Sequence, residues 1–396
     1  MVFKKWLPII SMKNKTIVYV NFAPYDNAGR ILDYLIENFS VVIHFSYDHL
    51  RLKNGRRSKL AIYRNGLLIK QKNLFWLRTN PFLLFPSLPF VAGAIMIQTL
   101  WYVIVYRKIF GKFDLFFSVN AFTAWEGNLL RFLKLVNKTI YWVWDYFPPT
   151  HPDIRMRIAR WGYWKFDKPS RDHSDKVVFL NKHLQSARKE KNGRKELTDK
   201  NKKYPIIPIG TNPRNNYITN RNIIIGHLGM LKREQGLDLL FDNLKDLQKI
   251  FPNIKVEIIG SGPEENHFKA RAKKFAKIVK FFGYVERDDD VDRIMKNWSM
   301  GIATYVPIKW SEHYWTDPSK IKAYLNQGLP VITTNVPEFA QEIENSKAGI
   351  VINYYKNQEF IEAIKKIIKE RKEFNKNALL LAEKYNYRML YPKIFS

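Results

Sequence analysis

From Thr16 the chain alternates short apolar runs with longer stretches whose apolar positions recur at helical spacing. Thr16–Asn21 and Ser40–Phe45 read as buried strands, separated by a turn at Ala23–Asn27 with Gly29 and a helix at Arg30–Glu37. Further strands are expected at Leu115–Val119, Thr139–Trp144, Val177–Leu180 and Ile206–Ile209. A second series follows the polar stretch Asn212–Asn222, with strands at Ile223–Gly226, Lys255–Ile259, Val279–Phe282, Met300–Ala303 and Pro330–Thr333. Helices are expected between them at Leu237–Ile250, Pro263–Lys277, Asp289–Asn297 and Pro318–Asn326, then at Phe339–Glu344 and Gln358–Arg371. Strands of this length separated by helices predict parallel βαβ units. Two such series predict an α/β fold of two doubly wound, Rossmann-like domains facing each other across a cleft. Ligands in such sheets lie beyond the carboxyl ends of the strands. The expected boundaries are 1–210, 211–374 and a helical tail, 375–396, packing back on the first domain.

Two stretches depart from this scheme. Thr79–Tyr106 contains no charged residue and, at 28 residues, is long enough to span a bilayer. Pro81, Pro86 and Pro89 crowd its start, and a span would split the first βα series between two sides of a membrane. A true span, a helix lying partly in the membrane face and an ordinary buried helix all remain open. Arg188–Lys203 is rich in Lys and Arg and reads as a solvated loop or as a polybasic patch for anionic lipid. At the N-terminus, Lys4 and Lys5 precede an apolar stretch broken at Pro8 with no small-residue cleavage site, so no export signal is expected.

Charge narrows the choice of partners. The 66 Lys and Arg against 36 Asp and Glu leave a net charge of +30, which calls for something anionic: nucleic acid, a phospholipid surface or a phosphorylated small molecule. Aromatic residues make up 15% of the chain, with 11 Trp and 21 Tyr, residues that favour surfaces wet on one side and dry on the other. Together these point to an anionic membrane surface. The absence of cysteine excludes thiol catalysis, iron–sulfur clusters and cysteine-ligated zinc, and permits a reducing compartment.

The segment Trp315–Ile332 carries the most chemistry. Asp317 is a good N-cap and Pro318 suits a first helical position, which places Ser319 and Lys320 in the first turn. Backbone N–H groups, the positive helix end, a hydroxyl and an ammonium then converge as an anion site, or the segment is simply a well-capped helix. No Asp, Glu and His cluster has ligand spacing, so no catalytic metal and no cofactor are expected.

This stretch resembles the donor-nucleotide segment of GT-B-fold glycosyltransferases, written D-P-S-K-x-x-E-Y-L-A-x-G-L-P-V-I. Ile223–Leu240 is similar to the family's opening strand and glycine turn. Val256–Glu264 resembles its second strand and turn, and Phe282–Val285 the strand that ends near the nucleotide base. The resemblance implies a donor site of Gly229, Lys232, Arg233, Gly260, Gly262, Tyr284, Asp317, Pro318, Ser319 and Lys320. It covers residues 205–355 well and the first half only by layout. Departures are specific: Ala323 stands where a ribose-binding Glu is usual, Trp315 near the preceding Glu, and Met230 and Gln235 at the usual Arg and Lys. If the reaction inverts, the resemblance implies a general base in the first half. Asp145, after a strand, and Asp26, beside Gly29, are the candidates, with turn-forming roles the alternative for each. His227 reads as a packed side chain; His151 and His173 lie in a segment rich in Arg and Trp (Arg155, Arg157, Arg160, Trp161, Trp164, Arg171) that reads as a contact for lipid headgroups or an acceptor pyrophosphate, or as a solvated helix face.

The expected function is therefore cytoplasmic transfer of a sugar, at the inner face of the cell membrane. The donor is a nucleotide-diphosphate sugar, the acceptor is a glycan or is lipid-linked, and the setting is cell-surface polysaccharide assembly. The alternatives are a nucleotide-sugar epimerase of the same fold and a binding relative without catalysis. No nucleic-acid-binding module is recognisable.

Overall fold

The computed structural model describes residues 12–22, 27–47, 58–74, 84–189, 204–214 and 222–396. Asp26, Lys4, Lys5 and residues 190–203 of the basic stretch lie outside them. The chain divides into two units. One takes the residues up to Pro208 and resumes at Arg388–Ser396; the other takes Ile209–Tyr387.

In the first unit, β1 (Thr16–Asn21), α1 (Ile31–Asn38), β2 (Val41–Ser46), β3 (Lys59–Arg64) and β4 (Leu67–Asn73) precede a long helix, α2 (Leu84–Phe110). Then come β5 (Phe113–Ser118), α3 (Ala121–Phe132), β6 (Val136–Val143), α4 (Ile154–His173), β7 (Lys176–Phe179) and α5 (Lys182–Lys189). The strands form one sheet in the order β4-β3-β2-β1-β5-β6-β7. The apolar runs predicted as strands fill its parallel centre, where Val18, Val20, Ile43, Phe45 and Phe116 are buried.

Two features differ from the sequence reading. β3 and β4 form an antiparallel hairpin, turned by Asn65 and Gly66, both at positive φ. β4 is exposed along its whole length, so its residues carry no buried alternation to mark it as a strand. At Ile206–Ile209, only a single bridge forms, from Ile206 to Phe179.

Phe90–Phe110 is apolar and long enough to cross a membrane by composition. Yet α2 leaves β4 and enters β5, strands of one sheet, and its Ile95, Thr99, Val103 and Tyr106 are buried. A span would pull those side chains out of the core, so α2 packs on the sheet with one face and leaves the other exposed.

The second unit begins with β8 (Ile224–Leu228), α6 (Asp238–Ile250), β9 (Lys255–Ile259), α7 (Glu265–Ala272), β10 (Val279–Gly283) and α8 (Asp288–Met295). It continues through β11 (Met300–Ala303), α9 (Ser319–Asn326), β12 (Val331–Thr334), α10 (Ala340–Asn345), β13 (Gly349–Ile352), α11 (Asn357–Lys369) and α12 (Arg371–Lys384). All six strands are parallel, in the order β10-β9-β8-β11-β12-β13. The order reverses direction between β8 and β11, which creates a crevice at their carboxyl ends. Ile225, Val256, Ile258, Val279, Met300, Ile302, Ile332 and Ile352 are the strand residues of one core cluster.

The expected tail at 375 starts inside α12, which packs on α9 in the second unit. The chain then passes through α13 (Tyr387–Leu390) to α14 (Pro392–Phe395). In the first unit, the Tyr391 hydroxyl donates to the Gly29 carbonyl at 2.6 Å and Phe395 stacks on Tyr34. Lys176 there donates to the carbonyls of Lys393 and Ser396.

Candidate functional site

The site in the second unit is built on two glycine turns. β8 is followed by Gly229 at φ 135° and β9 by Gly260 at φ 132°, conformations that residues with a Cβ rarely adopt. The turns lie against each other: Gly229 N–H donates to the Ile259 carbonyl at 2.9 Å and Leu231 N–H to Ser261 at 3.0 Å. A Cβ on Gly260 would come within 1.9 Å of the Gly229 carbonyl oxygen, and one on Gly262 within 2.5 Å of that of Leu231. These glycines therefore let two backbone turns meet at the carboxyl edge of the sheet. Tyr284 follows at the end of β10, half-buried, directly after Gly283.

α9 points its first turn at the same place. Lys320, buried, extends until its Cε and Nζ lie 3.1 Å from the point where a Gly229 Cβ would stand. The ammonium donates to the Gln235 amide oxygen and sits 5.2 Å from the centre of the Tyr305 ring. Burial brings its pKa down to about 7. The Gln235 amide nitrogen lies 2.9 Å from His313 Nε2. Burial, helped by the charges of Lys320 and Lys232 and opposed by Glu312, holds His313 down at about 4. A neutral imidazole accepting from the amide nitrogen fixes the amide oxygen towards Lys320. Burial and then the Lys320 charge also hold His227, on β8, well below the ordinary histidine range.

Lys232 Nζ lies 3.3 Å from Glu312 Oε1, and Arg233 Nε lies 3.3 Å from Glu264 Oε2. Ser319 is exposed at the start of α9. The glycine turns, Lys232 and Lys320 are thus gathered at one end of the sheet, whereas Arg233 is largely exposed. Two cations beside tight backbone turns at the carboxyl edge of the sheet suit a pyrophosphate.

Asp317 plays a different part from the cap expected of it. Pro318, rather than Asp317, occupies the N-cap position of α9, and no side chain caps the helix. The buried Asp317 carboxylate accepts from Ile209 N–H at 2.8 Å and lies 3.9 Å from Lys322 Nζ. Lys322 in turn sits 3.4 Å from the Phe339 ring centre and 3.7 Å from that of Tyr385. The attraction of a buried ammonium and the free Ile209 N–H outweighs a local cap.

Sequence reasoning missed Glu312, His313 and Tyr305. They lie between β11 and α9, in a stretch without a motif. The usable signal was a run of charged and aromatic residues following the carboxyl end of a strand.

In the first unit, Asp145 follows β6, half-buried. Its carbonyl accepts from Arg188 at 2.7 Å, and its charge adds to the burial and the Asp167 charge that raise the Tyr163 hydroxyl pKa. Arg188 is fully buried against Asp167 at 2.9 Å. It therefore belongs to the core instead of the solvated basic patch in which the sequence placed it. Asp167, shared by Arg188 and Arg171, is held below the usual carboxylate range by those two charges against burial.

Residues 209–380 match the family of glycosyl transferases, group 1. The second unit is a group 1 glycosyl transferase domain. Sucrose-phosphate synthase from Thermosynechococcus elongatus superposes with a TM-score of 0.68 at 13% identity, covering 96% of this chain and 98% of that one. HepE of Anabaena, in complex with UDP and glucose, superposes at 0.62 with 16% identity, covering 97% and 98%. The lipopolysaccharide outer core galactosyltransferase WaaB, in its apo form, superposes at 0.53 with 13% identity, covering 96% and 98%. No curated protein sequence matches the chain. The architecture is thus GT-B, a fold of two α/β units each with its own sheet, as the sequence motifs implied.

Proposed function

We propose that the protein transfers a sugar from a nucleotide-diphosphate sugar to a glycan or lipid-linked acceptor during cell-surface polysaccharide assembly, at the cytoplasmic face of the membrane. The observation that carries the donor half is the reach of Lys320 from the first turn of α9 to the Gly229 turn. HepE, bound in separate structures to UDP and to UDP-glucose, lends a donor type to the reading. The acceptor class rests on the basic net charge and on the exposed apolar residues of the first unit.

In this reading the bond between the anomeric carbon and the β-phosphate oxygen breaks, and its electron pair leaves with the diphosphate. The acceptor oxygen forms the new bond to that carbon and gives up its proton. Lys320 and Lys232 meet the charge growing on the diphosphate, with most force where water is excluded. We assign the proton to Asp145 for an inverting transfer; Asp26, the other carboxylate considered, lies outside the described residues. Charge stabilisation is assigned to these two lysines instead of a metal.

The test is a thermal-shift screen of nucleotide sugars on the wild-type chain and on Lys320→Ala. A specific donor raises the unfolding temperature of the wild type in proportion to occupancy. An equal shift in Lys320→Ala would refute the site.

A further inference from the structure

α2 is apolar on two opposite faces. Ile95, Thr99, Val103 and Tyr106 point into the core of the first unit, and Val103 is wholly inaccessible. Phe90, Ile97, Trp101 and Ile104 recur at helical spacing on the other side, where Phe90 is 76% and Trp101 63% exposed. α4 repeats the pattern on a smaller scale: Ile154, Ile158 and Trp161 are spaced i, i+4, i+7 and each is more than 60% exposed.

α3 packs against both α2 and α4, so the three helices share one side of the sheet. Each runs back against the parallel strands β5, β6 and β7. The N-terminal halves of α2 and α4, with Phe90, Ile97, Ile154, Ile158 and Trp161, therefore lie towards the carboxyl edge, the edge from which Asp145 follows β6.

The rim of this apolar surface is basic. α2 contains no acidic residue and ends in exposed Arg107 and Lys108. On α4, Arg157 and Lys165 are exposed, and Lys165 lies 4.9 Å from the Trp161 ring centre; Arg155 and Lys168, also exposed, pair with Asp153 and Asp172. Trp and Ile flanked by Arg and Lys, on helices lying parallel to the sheet, is the composition of a surface that enters the headgroup region of a bilayer. A second copy of the chain would bring two such basic rims together, whereas anionic lipid neutralises them.

We propose that the exposed faces of α2 and α4 dock the first unit on an anionic phospholipid bilayer, without crossing it. This deepens the reading above in one respect: the carboxyl edge of the first sheet is held where the head of a lipid-linked acceptor emerges. The docking itself does not depend on the donor site.

The experiment is flotation with vesicles of phosphatidylcholine alone and of phosphatidylcholine with phosphatidylglycerol. It compares wild type, Ile97→Gln/Trp101→Gln and Ile158→Gln/Trp161→Gln, each checked for a UDP-induced thermal shift. All four positions are exposed, so folding is not at stake. The wild type is expected to partition about tenfold more strongly onto the phosphatidylglycerol vesicles, and each double variant to lose about tenfold of that binding. Double variants that float like the wild type would overturn the proposal. So would a wild type that ignores both vesicles but forms a dimer that the substitutions dissolve in sedimentation velocity. Flotation of the wild type without any UDP shift would leave the docking standing and remove the donor site instead.

Discussion

Lys232 and Glu312, 80 residues apart in the chain, meet at 3.3 Å between Nζ and Oε1 at the mouth of the glycine turns. Both side chains are about one-third exposed, so the pair is held by a modest attraction in a well-screened setting. An arriving diphosphate must therefore compete with Glu312 for Lys232. Glu312→Gln removes the competitor and is expected to tighten UDP binding by up to about fivefold, the range of an exposed ion pair. Lys232→Ala is expected to weaken it. Isothermal titration of UDP into both variants checks the opposite signs; a loss of affinity in Glu312→Gln would show that the carboxylate supports the ligand.

Under the proposed function, Lys320 is expected to make donor binding depend on pH. Burial lowers its pKa from the ordinary 10.5 to about 7, so at neutral pH a good part of the population is uncharged. The groups facing it are Gln235, Tyr305, the neutral His227 and His313, and Lys232 beyond them. A diphosphate favours the ammonium, so binding above about pH 7 takes up a proton and affinity falls as pH rises. For stability the sign is reversed. Between about 7 and 10.5 the unfolded chain binds the proton that the folded chain has lost, so stability rises with pH across that window. Lys320→Met should abolish the pH dependence of UDP affinity and lower that affinity by about tenfold to a hundredfold. Titrations in buffers of different ionisation enthalpy would reveal the proton uptake in the wild type and its absence in the variant.

Asp317 and Lys322 allow structure to be separated from function. The carboxylate's two contacts, Ile209 N–H and the Lys322 ammonium, both serve to fix the start of the second unit to α9. Removing one member of a buried pair leaves the other uncompensated, so Lys322→Met is expected to cost about 3 kcal/mol or more. The double variant Asp317→Asn/Lys322→Met should recover part of this loss. UDP affinity, measured below the unfolding transition, should stay within about twofold of wild type, because neither group reaches Lys320 or the glycine turns. A selective loss of UDP binding in the stable double variant would return Asp317 to the ligand site.

How far the sequence could be read depended on where each signal resides. The central parallel strands β1, β2, β5, β8, β11 and β12 are apolar runs buried on both faces, and burial on both faces is written directly into composition. The β3–β4 hairpin was passed over because β4 lies at the exposed edge, where Leu67, Leu68 and Ile69 face solvent and no core enforces alternation. β13 was passed over because Gly349–Ile352 lies at the sheet edge with two of its four residues half-buried, whereas the equally short β11 and β12 are buried throughout. At the candidate site, Gly229 and Gly260 came from the resemblance to GT-B motifs and Lys320 from the start of a helix; the structure gives both glycines a positive φ and brings Lys320 to the Gly229 turn. Glu312, His313 and the true partner of Asp317 were not. Each owes its position to a contact across 78 to 108 residues of chain, which spacing along the sequence does not encode.

The two glycine turns give the last prediction, because steric demand and backbone conformation can be varied separately. Gly260 and Gly66 both have positive φ, 132° and 84°. Beside Gly260 a new Cβ would meet the Gly229 carbonyl oxygen at 1.9 Å, whereas nothing lies within 4 Å of one at Gly66. Gly66→Ala therefore carries only the conformational cost, about 1 kcal/mol at a hairpin turn. Gly260→Ala carries a backbone clash as well, and relief requires the β8 and β9 turns to separate. It is expected to destabilise by about 3 kcal/mol or more and to abolish UDP binding even at temperatures where it stays folded. Moving the Gly229 turn draws it away from Lys320, so the loss of binding should exceed what the loss of stability explains. Urea unfolding and UDP titration on the two variants, side by side, measure both quantities. Equal stability losses would mean that the turns are not packed as closely as the carbonyl contact requires.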